Sequence, residues 1–100
     1  MDLIFTQTEQ FKKWLTSLND LRAKAKIITR IQRATLGNFG DYKSLGDGIN
    51  ELRIDHGKGY RVYFAQQGKI VYLLLLGGDK STQSRDIKAA KKMWKTIKKD

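Results

Sequence analysis

The chain of 100 residues contains no cysteine, no proline and one histidine. Without cysteine there is neither a disulfide framework nor a thiolate metal site, and one histidine would leave a zinc ion dependent on carboxylates. No metal and no cofactor are therefore expected. Without proline, turns fall to glycine and to short polar residues. The longest apolar run, Ile70 to Leu76, is far too short to cross a bilayer, so no membrane role is expected. The opening Met1-Asp2-Leu3-Ile4-Phe5 lacks the basic and long apolar regions of a secretory signal, which makes the cytoplasm the expected compartment. Repeats, low-complexity tracts, phosphate-binding glycine loops, Ser/His/Asp sets and paired-carboxylate patterns are also missing.

Acid is scarce as well. Ten acidic residues face twenty basic ones, for a net charge of +10. An excess of that size says nothing about fold but bears on partners: phosphate backbones, anionic membranes or an acidic protein. The apolar fraction of 40% can still fill one core, so residues 1–100 are expected to form a single domain.

Hydrophobic spacing divides the chain into elements. Leu3 to Thr6 reads as a short strand. Phe11, Trp14, Leu15 and Leu18 mark a helix capped by Thr8 or Thr6. Asp20 suits the cap of a second helix, Leu21 to Leu36, with Leu21, Ala25, Ile28 and Ile31 as its apolar stripe and Gly37 closing it. Residues 37–49 read as a glycine-rich loop. The period then changes to two: strands run over residues 51–55 and 60–65, and the apolar run from Ile70 forms a central strand ended by Gly77-Gly78. Ser81 or Thr82 caps a final helix on Ile87, Ala90, Trp94 and Ile97, with Asp86 favoured in its first turn by the dipole. The expected class is α+β, order β-α-α-β-β-β-α, with the helices on one face of the sheet.

Three features bear on function. The second helix carries Arg22, Lys24, Lys26, Arg30 and Arg33 without an acid, and the last carries Lys88, Lys91, Lys92, Lys95, Lys98 and Lys99. Surface helices normally mix signs, so two such faces favour RNA binding over mere solubility. On the strand Tyr60 to Phe64, alternation puts Arg61 and Tyr63 together on an open face beside Arg53. A forked guanidinium suits a phosphate and a tyrosine can stack or pass a proton, whereas the plain alternative is a surface arginine paired with Glu51. Lys80 follows the central strand where a phosphate could sit, with Asp79 able to neutralise it. His56 is attractive as a base or acid but lies in a turn, where a histidine is more often only tolerated.

The strings ELRIDHGKGYRVYF (51–64) and LLLLGGDKSTQSRDIKAA (73–90) resemble the HigB-like branch of the RelE/ParE toxin superfamily. The likeness extends through FKKWL (11–15) and Arg22 to Ile31, and so covers nearly the whole chain. It implies a helical hairpin packed on a twisted antiparallel sheet, with a C-terminal helix. It also implies a type II toxin that acts with the ribosome to cut mRNA without a metal, and an antitoxin partner of the HigA-like helix-turn-helix kind. By that resemblance Arg61 matches the arginine at the scissile phosphate and Lys80 a second cation. Glu51 and Arg53 fall at strand positions where some members carry lysines. The tyrosine used near the C-terminus by some members falls near Ile87 here, which leaves Tyr63 or His56 to move protons. Two alternatives stand beside this reading: a gyrase poison of the ParE kind, and a non-catalytic RNA- or DNA-binding module.

Overall fold

Thr8 begins the first helix by two bonds at once. Its hydroxyl accepts from the Phe11 N–H at 3.0 Å and donates to the carbonyl of Leu75 at 2.6 Å, joining a helix cap to the sheet. The computed structural model describes residues 2–99. It contains β1 (Ile4–Gln7), α1 (Glu9–Ser17), α2 (Leu21–Thr35), β2 (Tyr42–Gly46), β3 (Ile49–Ile54), β4 (Tyr60–Gln66), β5 (Val71–Gly78), a 3-10 turn at Lys80–Thr82 and α3 (Gln83–Lys98). The α+β class, the helical hairpin and the terminal helix are as the sequence pattern has them.

Asp20 caps α2, accepting from the Ala23 N–H at 3.1 Å. The helix ends on Gly37 at φ +89°, whose N–H bonds the Ala34 carbonyl while that of Asn38 reaches Arg33, a Schellman ending. The buried stripe of α2 differs from the expected one. Ala23, Ile27 and Ala34 are buried and Ile31 of the expected stripe packs partly buried against the same core, whereas Leu21 is 74% exposed and Ile28 and Ala25 lie on the surface. Arg30 lies one turn from Ile27, and its guanidinium donates to the carbonyls of Arg53, Phe39 and Asp41.

The loop expected over residues 37–49 contains a strand. β2 pairs antiparallel with β3 through Tyr42↔Leu52 and Lys43↔Glu51, giving the order β-α-α-β-β-β-β-α. It is an exposed edge without apolar alternation, so periodicity could not reveal it. The sheet runs β1-β5-β4-β3-β2, with β1 parallel to β5 and every other pair antiparallel. β5 is internal and apolar on both faces, as expected, but β4 is the middle strand. Gly77 and Gly78 are the last two residues of β5, as expected, and still pair with Val62 and Arg61.

Helices cover both faces, not one. Phe11 of α1 and Ala23 and Ile27 of α2 pack on Leu52, Val62, Phe64 and Leu74. Ala90 and Trp94 of α3 pack on Ile49, Tyr63, Ala65 and Leu75 from the other side. Among the described residues no helix is long and apolar enough to cross a membrane.

Candidate anion-binding site at the end of the sheet

The face expected to be open is roofed by the start of α3. Period-two alternation still holds, so Glu51 and Arg53 of β3 and Arg61 and Tyr63 of β4 share that face, in register as Glu51↔Tyr63 and Arg53↔Arg61. Tyr63 does not stand in solvent. It is fully buried, and its hydroxyl has no hydrogen-bond partner among the described residues. Burial, with the carboxylates of Glu51 and Asp86 nearby, pushes that hydroxyl well above the usual phenol range. In this position Tyr63 offers no face on which a base could stack.

Beneath the two arginines lies Glu51, 0% exposed. Its Oε1 accepts from Arg53 Nε at 3.1 Å and its Oε2 from Gln83 Nε2 of α3 at 2.8 Å. Arg61 Nε is 3.9 Å from Oε2, too long for a hydrogen bond, and is itself without a partner among the described residues. The plain alternative of a paired arginine thus holds, but the pairing is buried rather than superficial. The Arg53 side chain is 36% exposed and that of Arg61 12%, so both reach the surface from this anchor.

A glycine sits between the two cations because its backbone is left-handed, not for want of space. Gly59, at φ +73°, lies where a Cβ would be 3.4 Å from the Lys80 side chain and 3.6 Å from Arg61 Nη1. Arg61 Nη1 donates to the carbonyls of Gly59 and Tyr60 at 3.1 and 3.3 Å, and the Lys80 N–H bonds the carbonyl of Lys58. Lys80 and Arg61 therefore flank one glycine. Beside them, Lys58, Asp79, Lys80 and Ser81 line an open cleft of about 560 Å³. Asp79 does not neutralise Lys80 directly. The Ser81 hydroxyl and amide bond its carboxylate and hold it below the usual carboxylate range.

His56 is turned to the other side. Its Nε2 is 3.2 Å from Asp20 Oδ2, which ties the β3–β4 turn to the cap of α2. Asp86 does sit in the first turn of α3, as expected, but it is buried and accepts from the Thr82 hydroxyl at 2.5 Å. Spacing missed Gln83, and it named Glu51 only as a surface partner and Thr82 only as a helix cap. The signal for Glu51 was its place two residues before Arg53; nothing in the strand pattern revealed that α3 would close over it.

The basic helices lie on opposite sides of the sheet. On α2, Arg22, Lys26 and Arg33 are exposed, and Lys26 and Arg33 line a cleft of about 330 Å³ with Thr29 and Asp55. Arg30, expected to bind RNA, instead spends its fork on three backbone carbonyls. On α3, Lys91, Lys92, Lys95 and Lys98 surround a cleft of about 530 Å³ floored by Trp94, and Lys91 also meets Asp47 at 3.4 Å. Only α3 shares the side of the sheet that holds Arg53 and Arg61. Among the described residues no three histidine or carboxylate side chains gather closely enough to hold a metal ion.

Comparison with known proteins adds two findings. A protein of Haemophilus influenzae, described only as uncharacterized, is 57% identical over 91 residues, 91% of this chain and 92% of that protein. Residues 13–99 match the family described as phage derived protein Gp49-like (DUF891). That span takes in the arginines, the buried glutamate, Lys80 and both basic helices, and it leaves out only β1 and the start of α1. The chain belongs to the Gp49-like family of phage-derived proteins, a family related to the toxins of addiction modules.

Proposed function

We propose that the protein is the toxin of a type II toxin–antitoxin pair and cuts mRNA on the ribosome, as HigB-like and RelE-like toxins do. The observation that carries this reading is the convergence of Arg53, Arg61 and Lys80, from three different elements, at one end of the sheet. In the proposed reaction the ribose 2′-hydroxyl attacks the adjacent phosphorus and the bond to the 5′-oxygen breaks. A 2′,3′-cyclic phosphate and a 5′-hydroxyl remain. Negative charge grows on the non-bridging oxygens, and fixed guanidinium and ammonium groups stabilise it most where they need not reorganise. Arg61 is the principal phosphate ligand, with Arg53 and Lys80 completing the charge. Tyr63 is sealed in the interior and His56 is tied to Asp20 on the other side, so in this reading the chain's cations take the phosphate and proton transfer is assigned to neither residue. The lysines of α3, Lys91 and Lys95 among them, and the exposed Arg22, Lys26 and Arg33 of α2 supply contacts to ribosomal RNA. A HigA-like antitoxin is the expected partner.

The test is induction of the protein in cells, with translation, DNA supercoiling and mRNA 5′ ends followed in time. Translation is expected to fail first, with new 5′-hydroxyl ends in translated messages. Arg61→Ala should lower cleavage by roughly 100- to 1000-fold while the protein stays folded. Full toxicity of Arg61→Ala, or a loss of supercoiling ahead of translation, would sink the reading, the latter in favour of gyrase.

A further inference from the structure

We propose that Glu51 is a positioning residue, which holds the inner edges of Arg53 and Arg61 so that their outer N–H groups form one two-armed anion clamp. The proposal rests on the reading above for the identity of the anion, a phosphodiester, but the clamp itself is a property of the free protein.

A carboxylate with no solvent exposure is costly to bury, and an apolar side chain of similar size would serve the core at least as well. Core stability therefore does not account for Glu51. Its contacts do. One oxygen binds Arg53 Nε at 3.1 Å, while the other binds Gln83 at 2.8 Å and faces Arg61 Nε at 3.9 Å. Both arginines thus turn the same atom, Nε, toward one buried charge. Among the described residues the Nη groups of Arg53 make no hydrogen bond within the chain, and Arg61 uses only Nη1, on the carbonyls of Gly59 and Tyr60. Arg53 and Arg61 are also direct cross-strand partners, where two positive charges would repel without the carboxylate between them. Removing the charge of Glu51 frees the guanidiniums to splay apart. Gln83 extends the device to α3, because its amide fixes which way the carboxylate lies.

Glu51 itself touches no solvent and so meets no substrate. Its effect has to pass through the arginines, which makes the arginine side chains the place to look. In the full chain labelled with 15N-arginine, the Nε–H signals of Arg53 and Arg61 should be resolved and slow to exchange. Titration with inorganic phosphate should shift both together. In Glu51→Gln the two signals should merge with those of the surface arginines, and phosphate should no longer move them as a pair. In a ribosome-dependent cleavage assay the same variant should lose about 10- to 100-fold in kcat with KM unchanged, since orientation in the transition state and not ribosome binding is lost. Glu51→Asp should recover part of that loss. If Glu51→Gln fails to fold, Gln83→Ala removes only the amide and should move the same signals in the same direction, with a smaller fall in kcat.

Arginine signals that are unchanged in these variants overturn the proposal, and so does a loss that appears in KM alone. If the wild-type protein cuts no mRNA but the paired phosphate shift is present and depends on Glu51, the clamp stands and the nuclease reading falls.

Discussion

Two adjacent glycines show how closely the site is built. A Cβ on Gly78 would lie 1.9 Å from Asp86 Oδ2 and 2.9 Å from Thr82 Oγ1, and one on Gly77 would lie 2.3 Å from the Trp14 ring. One position admits α1 and the next admits α3, because successive residues of a strand point to opposite faces. Gly78 also pairs with Arg61, so the space it leaves open sets where α3 begins above the clamp. Gly78→Ala should cost about 1–3 kcal/mol in urea unfolding, the cost of overpacking a filled interior. It should also displace the first turn of α3 and with it Gln83. Unchanged stability and activity in that variant would show that the helix start yields without harm. Tyr63 belongs to the same scale: a residue whose alternation suggested exposure is instead sealed, protonated, between the sheet and α3.

At the scale of elements, α2 and the β3–β4 turn are joined by one pair, Asp20 and His56. The Ala23 amide first, and then the His56 imidazole, hold the Asp20 carboxyl below the usual carboxylate range. A carboxyl with a depressed native pKa stabilises the fold above its unfolded value, and the contribution disappears as pH falls through the native one. The Asp20 contribution should therefore be lost in acid, below the ordinary carboxylate range, seen as faster amide exchange at Ala23. Asparagine caps about as well as aspartate but does not titrate there, so Asp20→Asn should keep the helix and remove the acid step. The same acid step in Asp20→Asn would assign it to another group. The elements also show where hydrophobic spacing stops being informative. It located α1, α3 and the three inner strands, which each bury a periodic face. It missed β2, an exposed edge, and placed only Ile31 of the α2 stripe correctly, because two apolar rows run along that helix and spacing does not choose between them.

Across the whole molecule, the sheet separates the two basic surfaces. A single extended strand of RNA cannot lie along both, and the α3 surface is the one on the side of Arg53 and Arg61. Replacing Lys92, Lys95 and Lys98 with glutamine should weaken ribosome binding and flatten its dependence on salt, by about 0.7–0.9 in the log–log slope for each phosphate no longer neutralised. Arg22→Gln with Lys26→Gln and Arg33→Gln, on α2, should alter binding separately. If the α3 variant binds with the same affinity and the same salt slope, those lysines serve solubility only.

Composition and periodicity were enough for the α+β class, the helical hairpin, the expectation of a polyanion and the pairing of Arg53 with Arg61 on one face. All of these depend on residue type or on spacing within one element. The burial of Glu51 and Tyr63, the meeting of Lys80 with Arg61 at Gly59 and the division of the basic helices between two faces came only with the tertiary structure. Each depends on where α3 lands, which is decided by contacts between residues distant in the chain, such as Gly78 with Asp86 and Glu51 with Gln83.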